Sequence, residues 1–223
     1  MSNEKKPFRE SFFYPIVFML MITFIFVGVL AAMYRGSEKR IEDQNREAYE
    51  RTILGICADK IASSTGEKAA GIIAAYPDSY EKYITTASLE GVDRPSFMAK
   101  VNGVPVAMVV DIPGKGLWGS MRALVALSPD LTTVLDLSIY EQMETPGLGA
   151  RIGEEWFLKQ FSGKQVIVDG KPIPFEQIPE KQVPENPSQI KKVTGASITT
   201  GAVLDMLTSE LARIYTANQG ARK

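Results

Sequence analysis

The sequence predicts an α+β protein: one N-terminal transmembrane helix, then a domain with an antiparallel sheet and packed helices. Three observations carry this expectation. Tyr14–Met33 is a run of 20 residues without a charge. Short β-prone runs follow, punctuated by Asn102-Gly103, Pro129-Asp130 and Asp169-Gly170. A stripe at helical spacing (Val203, Met206, Leu207, Leu211, Ile214) closes the chain. The expected divisions are 1–36 for the N-terminal segment, with its span at about 14–33, 37–95 for a helical connector and the start of the domain, and 96–217 for the domain proper.

At about 1.5 Å per residue the uncharged run covers about 30 Å, the thickness of a hydrocarbon core. A cleavable signal peptide has a shorter apolar part, roughly 7–15 residues. Charge does not orient the span: Lys5, Lys6 and Arg9 precede it, and Arg35, Lys39 and Arg40 follow it. Ser37–Ala62 is charged but carries Ile41, Tyr49, Ile53, Leu54, Cys57 and Ile61. That is an amphipathic helix, packed on its own domain or serving as a stalk or partner-docking helix. Cys57 lies on its stripe and reads as a small buried hydrophobe. "AAGIIAAY" either continues that helix or forms a short one of its own.

"SFMAKV" and "VPVAMVVDI" flank Asn102-Gly103, a strong hairpin signal. "MRALVALS" and "TTVLDLSIYE" form the next pair. "EEWFLKQFSG" reads as a helix ending at Gly163, and "KQVIVDGKPI" as a further hairpin. Pro172–Pro187 reads as a loop, and a helix is expected over about Thr200–Tyr215. The whole predicts a meander with helices on one side.

Composition limits the chemistry. The 223 residues hold no His and one Cys, with 25 basic and 26 acidic residues. No basic stripe supports nucleic-acid binding. Metal or cluster sites built on several His or Cys ligands, and His-based catalytic triads, are excluded. No metal site and no catalytic residue of the chain's own is expected, so demanding chemistry requires a borrowed cofactor.

Three stretches are candidates for holding one. "GKGLWG", Gly114–Gly119, matches G-x-G-x-x-G, with Asp136 about twenty residues on. The dinucleotide reading requires a crossover helix of about 10–12 residues or more, and "RALVALS" reads instead as a strand. The loop is therefore a wide hairpin, or a place where a flat ligand meets the glycine backbone beside Leu117 and Trp118. The second stretch, Glu144-Thr145-Pro146-Gly147-Leu148-Gly149, joins a strand to a helix. Its carboxylate can accept a bond from a ring N–H or cap that helix. The third, "KKVTGASITTGAVLDML", sets Thr194, Ser197, Thr199 and Thr200 around Gly195 and Ala196 at a helix start. Capping, worth about 1 kcal/mol, is the plainer reading. Free N–H groups and a small-residue approach also make this a phosphate site.

Taken together, "ETPGLG", a Trp/Phe-containing helix, "TGAS-x-T" and "GLWG" resemble the FMN-binding subunits of membrane redox pumps. These are the G subunit of the Rnf complex and the C subunit of the Na⁺-translocating NADH:quinone oxidoreductase. The resemblance covers the anchor and about Val101–Ile214. It implies an electron-transfer subunit with one FMN, joined through its phosphate to a hydroxyl by a separate flavin transferase. The position implied is Ser197, with Thr199 as the fallback. Ser stands where the family usually has Thr, and Lys191 where it commonly has Asp; Lys191 or Lys192 can pair with a phosphate. The resemblance further implies that Thr194, Gly195, Ala196, Thr199 and Thr200 line the phosphate. Glu144, Thr145, Gly147, Leu148, Leu117, Trp118 and Gly119 are expected near the ring. Implied partners are other membrane subunits, which supply any NAD or quinone site, the transferase and membrane lipid. The implied location is the cytoplasmic membrane, single-pass, with the soluble domain on the outer side. The alternative is a membrane-anchored binding or assembly module of the same fold without flavin. A signal-sensing ectodomain is disfavoured, because no cytoplasmic output domain precedes the span.

Overall fold

A long helix, α1 (Phe13–Thr65), opens the described chain. The structure is a computed structural model and describes residues 13–219; Lys5, Lys6 and Arg9 lie outside it. The chain divides into two compact units, Met1–Ala48 and Tyr49–Lys223. In the first, α1 contains a window long and apolar enough to cross a membrane, and none of that window is buried. The expected span and the expected amphipathic helix are one element, since neither Gly36 nor the flanking charges interrupt it.

The second unit is built on a five-stranded antiparallel meander in the order β1-β2-β3-β4-β5. The strands are β1 (Ile84–Ala87), β2 (Ser96–Val101), β3 (Val104–Lys115), β4 (Ser120–Leu127) and β5 (Val134–Glu141). Asn102 and Gly103, both at positive φ, close β2 onto β3. Such two-residue turns match the twist of the strands they join. Between β4 and β5 the Asp130 carboxylate accepts bonds from Ser128 and from the Thr132 hydroxyl, the latter at 2.8 Å.

Helices cover both faces of this sheet, not one. On one face Met108, Val110 and Ile112 of β3 and Ala123 and Val125 of β4 pack against Val203, Leu207, Leu211 and Ile214. These last belong to α5 (Ser197–Gln219). Phe157 and Phe161 fill the same core, edge to face with ring centroids 5.6 Å apart. On the other face Ala107, Val109, Leu124 and Ala126 meet Ile53, Leu54, Cys57 and Ile61 of α1. Ile72 of α2 (Ala69–Ala74) and Tyr83 of α3 (Asp78–Tyr83) join them. Two-sided burial explains the continuous apolar runs of β3 and β4, which a half-exposed sheet would replace with alternation. Cys57 is fully buried, and burial pushes its thiol up to about 12.

The segment after β5 is more broken than expected. A 3-10 turn (Gly149–Gly153), a single α-turn, α4 (Glu155–Leu158), and a second 3-10 turn (Lys159–Phe161) replace one helix. Gly163 then takes φ +76. β6 (Ile167–Val168) and β7 (Lys171–Pro172) form the Asp169-Gly170 hairpin. The Pro-rich stretch is not all loop: β8 (Glu176–Ile178) pairs in parallel with β9 (Gln189–Lys191). That pairing leads the chain directly to α5.

Candidate functional site

Three segments converge at one end of the sheet. The β3–β4 loop, Gly116–Gly119, is closed by the Gly116 N–H donating to the Gly119 carbonyl at 2.8 Å. Each glycine of "GKGLWG" is small for a packing reason. A Cβ on Gly114 would lie 2.2 Å from the Met206 sulfur, one on Gly116 2.2 Å from Glu144 Oε1, and one on Gly119 2.9 Å from the Met143 sulfur. The pattern therefore serves a hairpin, and no crossover helix follows it. Asp136 sits within β5, paired in register with Ala126.

The second segment is the turn Thr145–Leu148. Pro146 and Gly147 occupy its middle, Gly147 has φ +75, and the Leu148 N–H donates to the Thr145 carbonyl at 3.1 Å. Proline followed by a positive-φ glycine is the residue pair a type II turn requires. The third segment is the start of α5. Gly195, at φ +82, turns the chain into the helix, and its α-hydrogen faces Leu148: a Cβ there would come within 3.1 Å of Leu148 Cδ2.

Between the three lies a groove of about 460 Å³, walled by Leu117, Trp118, Glu144, Thr145, Leu148, Gly149 and residues 195–199. Leu117, Trp118, Leu148 and Ile198 are exposed, Trp118 at 71%. Among the described residues the single charged side chain on this wall is Glu144, 6% exposed. Its Oε1 accepts from the Trp118 backbone N–H at 3.1 Å, and its Oε2 accepts from the Thr199 hydroxyl at 2.6 Å. Glu144 thus ties all three segments together and does not cap the helix that follows it.

The hydroxyl cluster separates into distinct roles. Thr200 Oγ1 is buried and accepts from the Val193 N–H at 3.2 Å, which is a helix-start bond. Thr199 is 1% exposed and committed to Glu144. The exposed Thr194 sends its backbone N–H to Glu180 at 3.0 Å. Hydrogen bonds from Thr194, with Arg151 3.7 Å away, hold the Glu180 carboxyl below its usual range. Ser197, half-buried, stands on the groove wall as the first residue of α5. There the amides of the first turn have no partner within the helix.

Of the residues expected at the site, Leu117, Trp118, Glu144, Thr145, Leu148, Gly195, Ala196, Ser197 and Thr199 line the groove. Gly119, Gly147, Thr194 and Thr200 support its edges without lining it. Lys191 and Lys192 are also absent from the lining; Lys191 is held in β9, where its N–H donates to Gln160 Oε1 at 2.8 Å. Sequence reasoning missed Gly149 and Ile198, which line the groove, and Gly116 behind it. The missed signal for Gly149 was its place within "ETPGLG": a Cβ there would lie 2.7 Å from Glu144 Oε2 and 3.0 Å from Thr199 Oγ1.

Residues 116–212, which contain all three segments, match the FMN-binding domain family. The C subunit of the Na⁺-translocating NADH-quinone reductase of Chlamydia caviae is 31% identical over 121 residues, 48% of this chain and 38% of that one. The G subunit of the proton-translocating ferredoxin:NAD⁺ oxidoreductase complex of Clostridium ljungdahlii is 32% identical over 124 residues, 56% of this chain and 62% of that one. Over the matched residues the chain is similar to these C and G subunits. It spans less than two thirds of the length of the relatives it matches. Two solved structures share the fold. NqrC of Shewanella oneidensis aligns over 64% of this chain and 70% of its own, with a TM-score of 0.53 and 22% identity. The C subunit of the Na⁺-translocating NADH-quinone reductase of Parabacteroides distasonis aligns over 75% and 94%, with a TM-score of 0.52 and 21% identity.

Proposed function

We propose that this chain is an electron-transfer subunit of a membrane-bound, ion-translocating oxidoreductase of the NADH:quinone or Rnf type. In this reading it carries FMN esterified through its phosphate to Ser197. The observation that carries the proposal is the groove itself: apolar Leu117, Trp118, Leu148 and Ile198 stand beside a helix start that presents a serine hydroxyl. Its volume falls within the usual range for small-ligand sites, about 300–1,000 Å³. Apolar side chains suit a flat ring system, and the first-turn amides of α5 suit a phosphate. Bound there, FMN supplies one- and two-electron redox chemistry that no side chain of this chain offers.

The charge distribution argues for a tether. Among the described residues no lysine or arginine lines the groove, and the one ionisable residue on its wall is a carboxylate. A free phosphate is then attracted by helix-end amides alone, worth about 0.3–1 kcal/mol per charge at an exposed site. An ester bond makes retention independent of that attraction. Of the hydroxyls at the helix start, Ser197 is the one on the groove wall that is free for it, because Thr199 and Thr200 are buried and hydrogen-bonded elsewhere.

The remaining parts follow. The apolar window of α1 anchors the chain in the cytoplasmic membrane as a single pass, with the domain on the outer side. A separate flavin transferase attaches the cofactor, and neighbouring membrane subunits supply NAD or quinone sites. Flavin fluorescence of the chain on a denaturing gel tests the proposal. A fluorescent band from cells making the transferase is expected. A dark band from such cells overturns the flavin assignment in favour of a flavin-free assembly module.

A further inference from the structure

We propose that Glu144 is a positioning residue for the groove, acting through its two hydrogen bonds and not through its charge. Resting on the reading of the groove as the flavin site, this gives Glu144 a task other than ring contact. Three observations meet on one carboxylate. It is buried at 6% exposure between segments far apart in sequence. One oxygen holds the backbone of Trp118, 26 residues away; the other holds the side chain of Thr199, 55 residues away. Two glycines leave room for it: a Cβ on Gly116 would lie 2.2 Å from Oε1, and one on Gly149 2.7 Å from Oε2. Neither of these glycines takes a positive φ, so space for the carboxylate is what each supplies.

The consequence is mechanical. Trp118 lies in a loop whose ring is exposed, so little packing fixes its backbone. Thr199 lies two residues past Ser197 on the first turn of α5. Glu144 therefore sets the distance between the aromatic wall and the proposed attachment point. A glutamine of the same length can repeat both contacts: its oxygen accepts from Trp118 N–H and its amide donates to the Thr199 hydroxyl, which rotates to accept. Aspartate, one methylene shorter, cannot span both.

The test begins with the full chain produced without the flavin transferase, in detergent, followed by hydrogen exchange. Glu144→Ala is expected to speed exchange of the Trp118 amide at least about tenfold, the range for losing a bond to a charged group. The amides at the start of α5 are expected to speed up with it, while those of β3 and β4 stay at the parent rate. Glu144→Gln is expected to stay within about fivefold of the parent, the difference between a bond to a charged and to a neutral acceptor, and below Glu144→Ala. Gly149→Ala, which displaces the carboxylate without removing it, is expected to behave as Glu144→Ala and keeps the idea testable if that variant does not fold. When the transferase is present, Glu144→Gln is expected to load flavin and show the parent's visible circular dichroism, and Glu144→Asp to lose that signal. Unchanged Trp118 exchange in Glu144→Ala, a uniform rise across the domain, or a glutamine variant as loose as alanine overturns the proposal. A parent chain without flavin overturns the functional reading instead, and leaves the exchange result standing.

Discussion

Asp111 is the most consequential buried charge in the domain. Its side chain is 2% exposed and forms an ion pair with Arg122 Nη2, with Arg94 Nη1 3.9 Å away. It accepts from the Tyr140 hydroxyl at 2.9 Å and the Tyr49 hydroxyl at 3.3 Å. Burial first, and then the charge of Asp111, push both phenols upward, so they remain donors. Asp111→Ala removes three bonds to an ionised carboxylate, each worth about 1.5–3 kcal/mol before any offset, the long Tyr49 bond the least. It leaves the Arg122 guanidinium with Glu141, 3.8 Å away, and with solvent, since Arg122 is 24% exposed. Relief from desolvating the carboxylate offsets part of the loss. The net expectation is about 3 kcal/mol, or a fall in Tm of about 6–12 °C for a domain of this size. Thermal unfolding of the purified chain, followed by circular dichroism, measures it. A cycle with Arg122→Ala should return a coupling of about 1.5–3 kcal/mol. A loss below about 1 kcal/mol, the value of a surface pair, would refute the view that this cluster is desolvated and structural.

Further expectations follow from single residues. The Cys57 thiol is raised from 9.0 to about 12 by burial and then by Asp136, so the unfolded chain ionises first. Stability is therefore full below pH 9 and falls as pH rises from about 9 to about 12, at about 1.4 kcal/mol per pH unit. Denaturant titrations at pH 9 and 10 should show a loss of about 1 kcal/mol between them in the parent, since the unfolded thiol is half ionised at pH 9, and its absence in Cys57→Ala. Gly195→Ala forces a side chain into φ +82 beside Leu148 and should cost about 1–2 kcal/mol, read from the same titrations at neutral pH. Trp118→Ala should leave stability within about 0.5 kcal/mol, because the ring is exposed, while altering the visible circular dichroism of the loaded chain.

Much of this architecture is written locally and was legible for that reason. Asn102-Gly103 and Asp169-Gly170 specify their turns by backbone preference alone, and both form as expected. The α5 stripe and the apolar window of α1 are periodic or compositional signals within one segment. What escaped reading depends on distant partners. The pairing of β8 with β9 lies at the edges of a Pro-rich stretch and is three residues deep, too short for any pattern. Packing on the second face of the sheet depends on α1 returning its Ile53–Ile61 stripe to β3 and β4, which are far along the chain. At the groove, the glycines and hydroxyls stood out as motifs, yet their division of labour did not. Thr199 and Thr200 look alike in sequence. Only the folded chain distinguishes the one that holds Glu144 from the one that caps Val193.

The central claim is an ester at the start of α5, and peptide mass mapping of the full chain made alongside a flavin transferase tests it most directly. The account predicts that the peptide containing Ser197 gains the mass of FMN less one water, and that Ser197→Ala yields a colourless chain after unfolding. Flavin retained by the unfolded Ser197→Ala chain, or found on a peptide lacking Ser197, would contradict it.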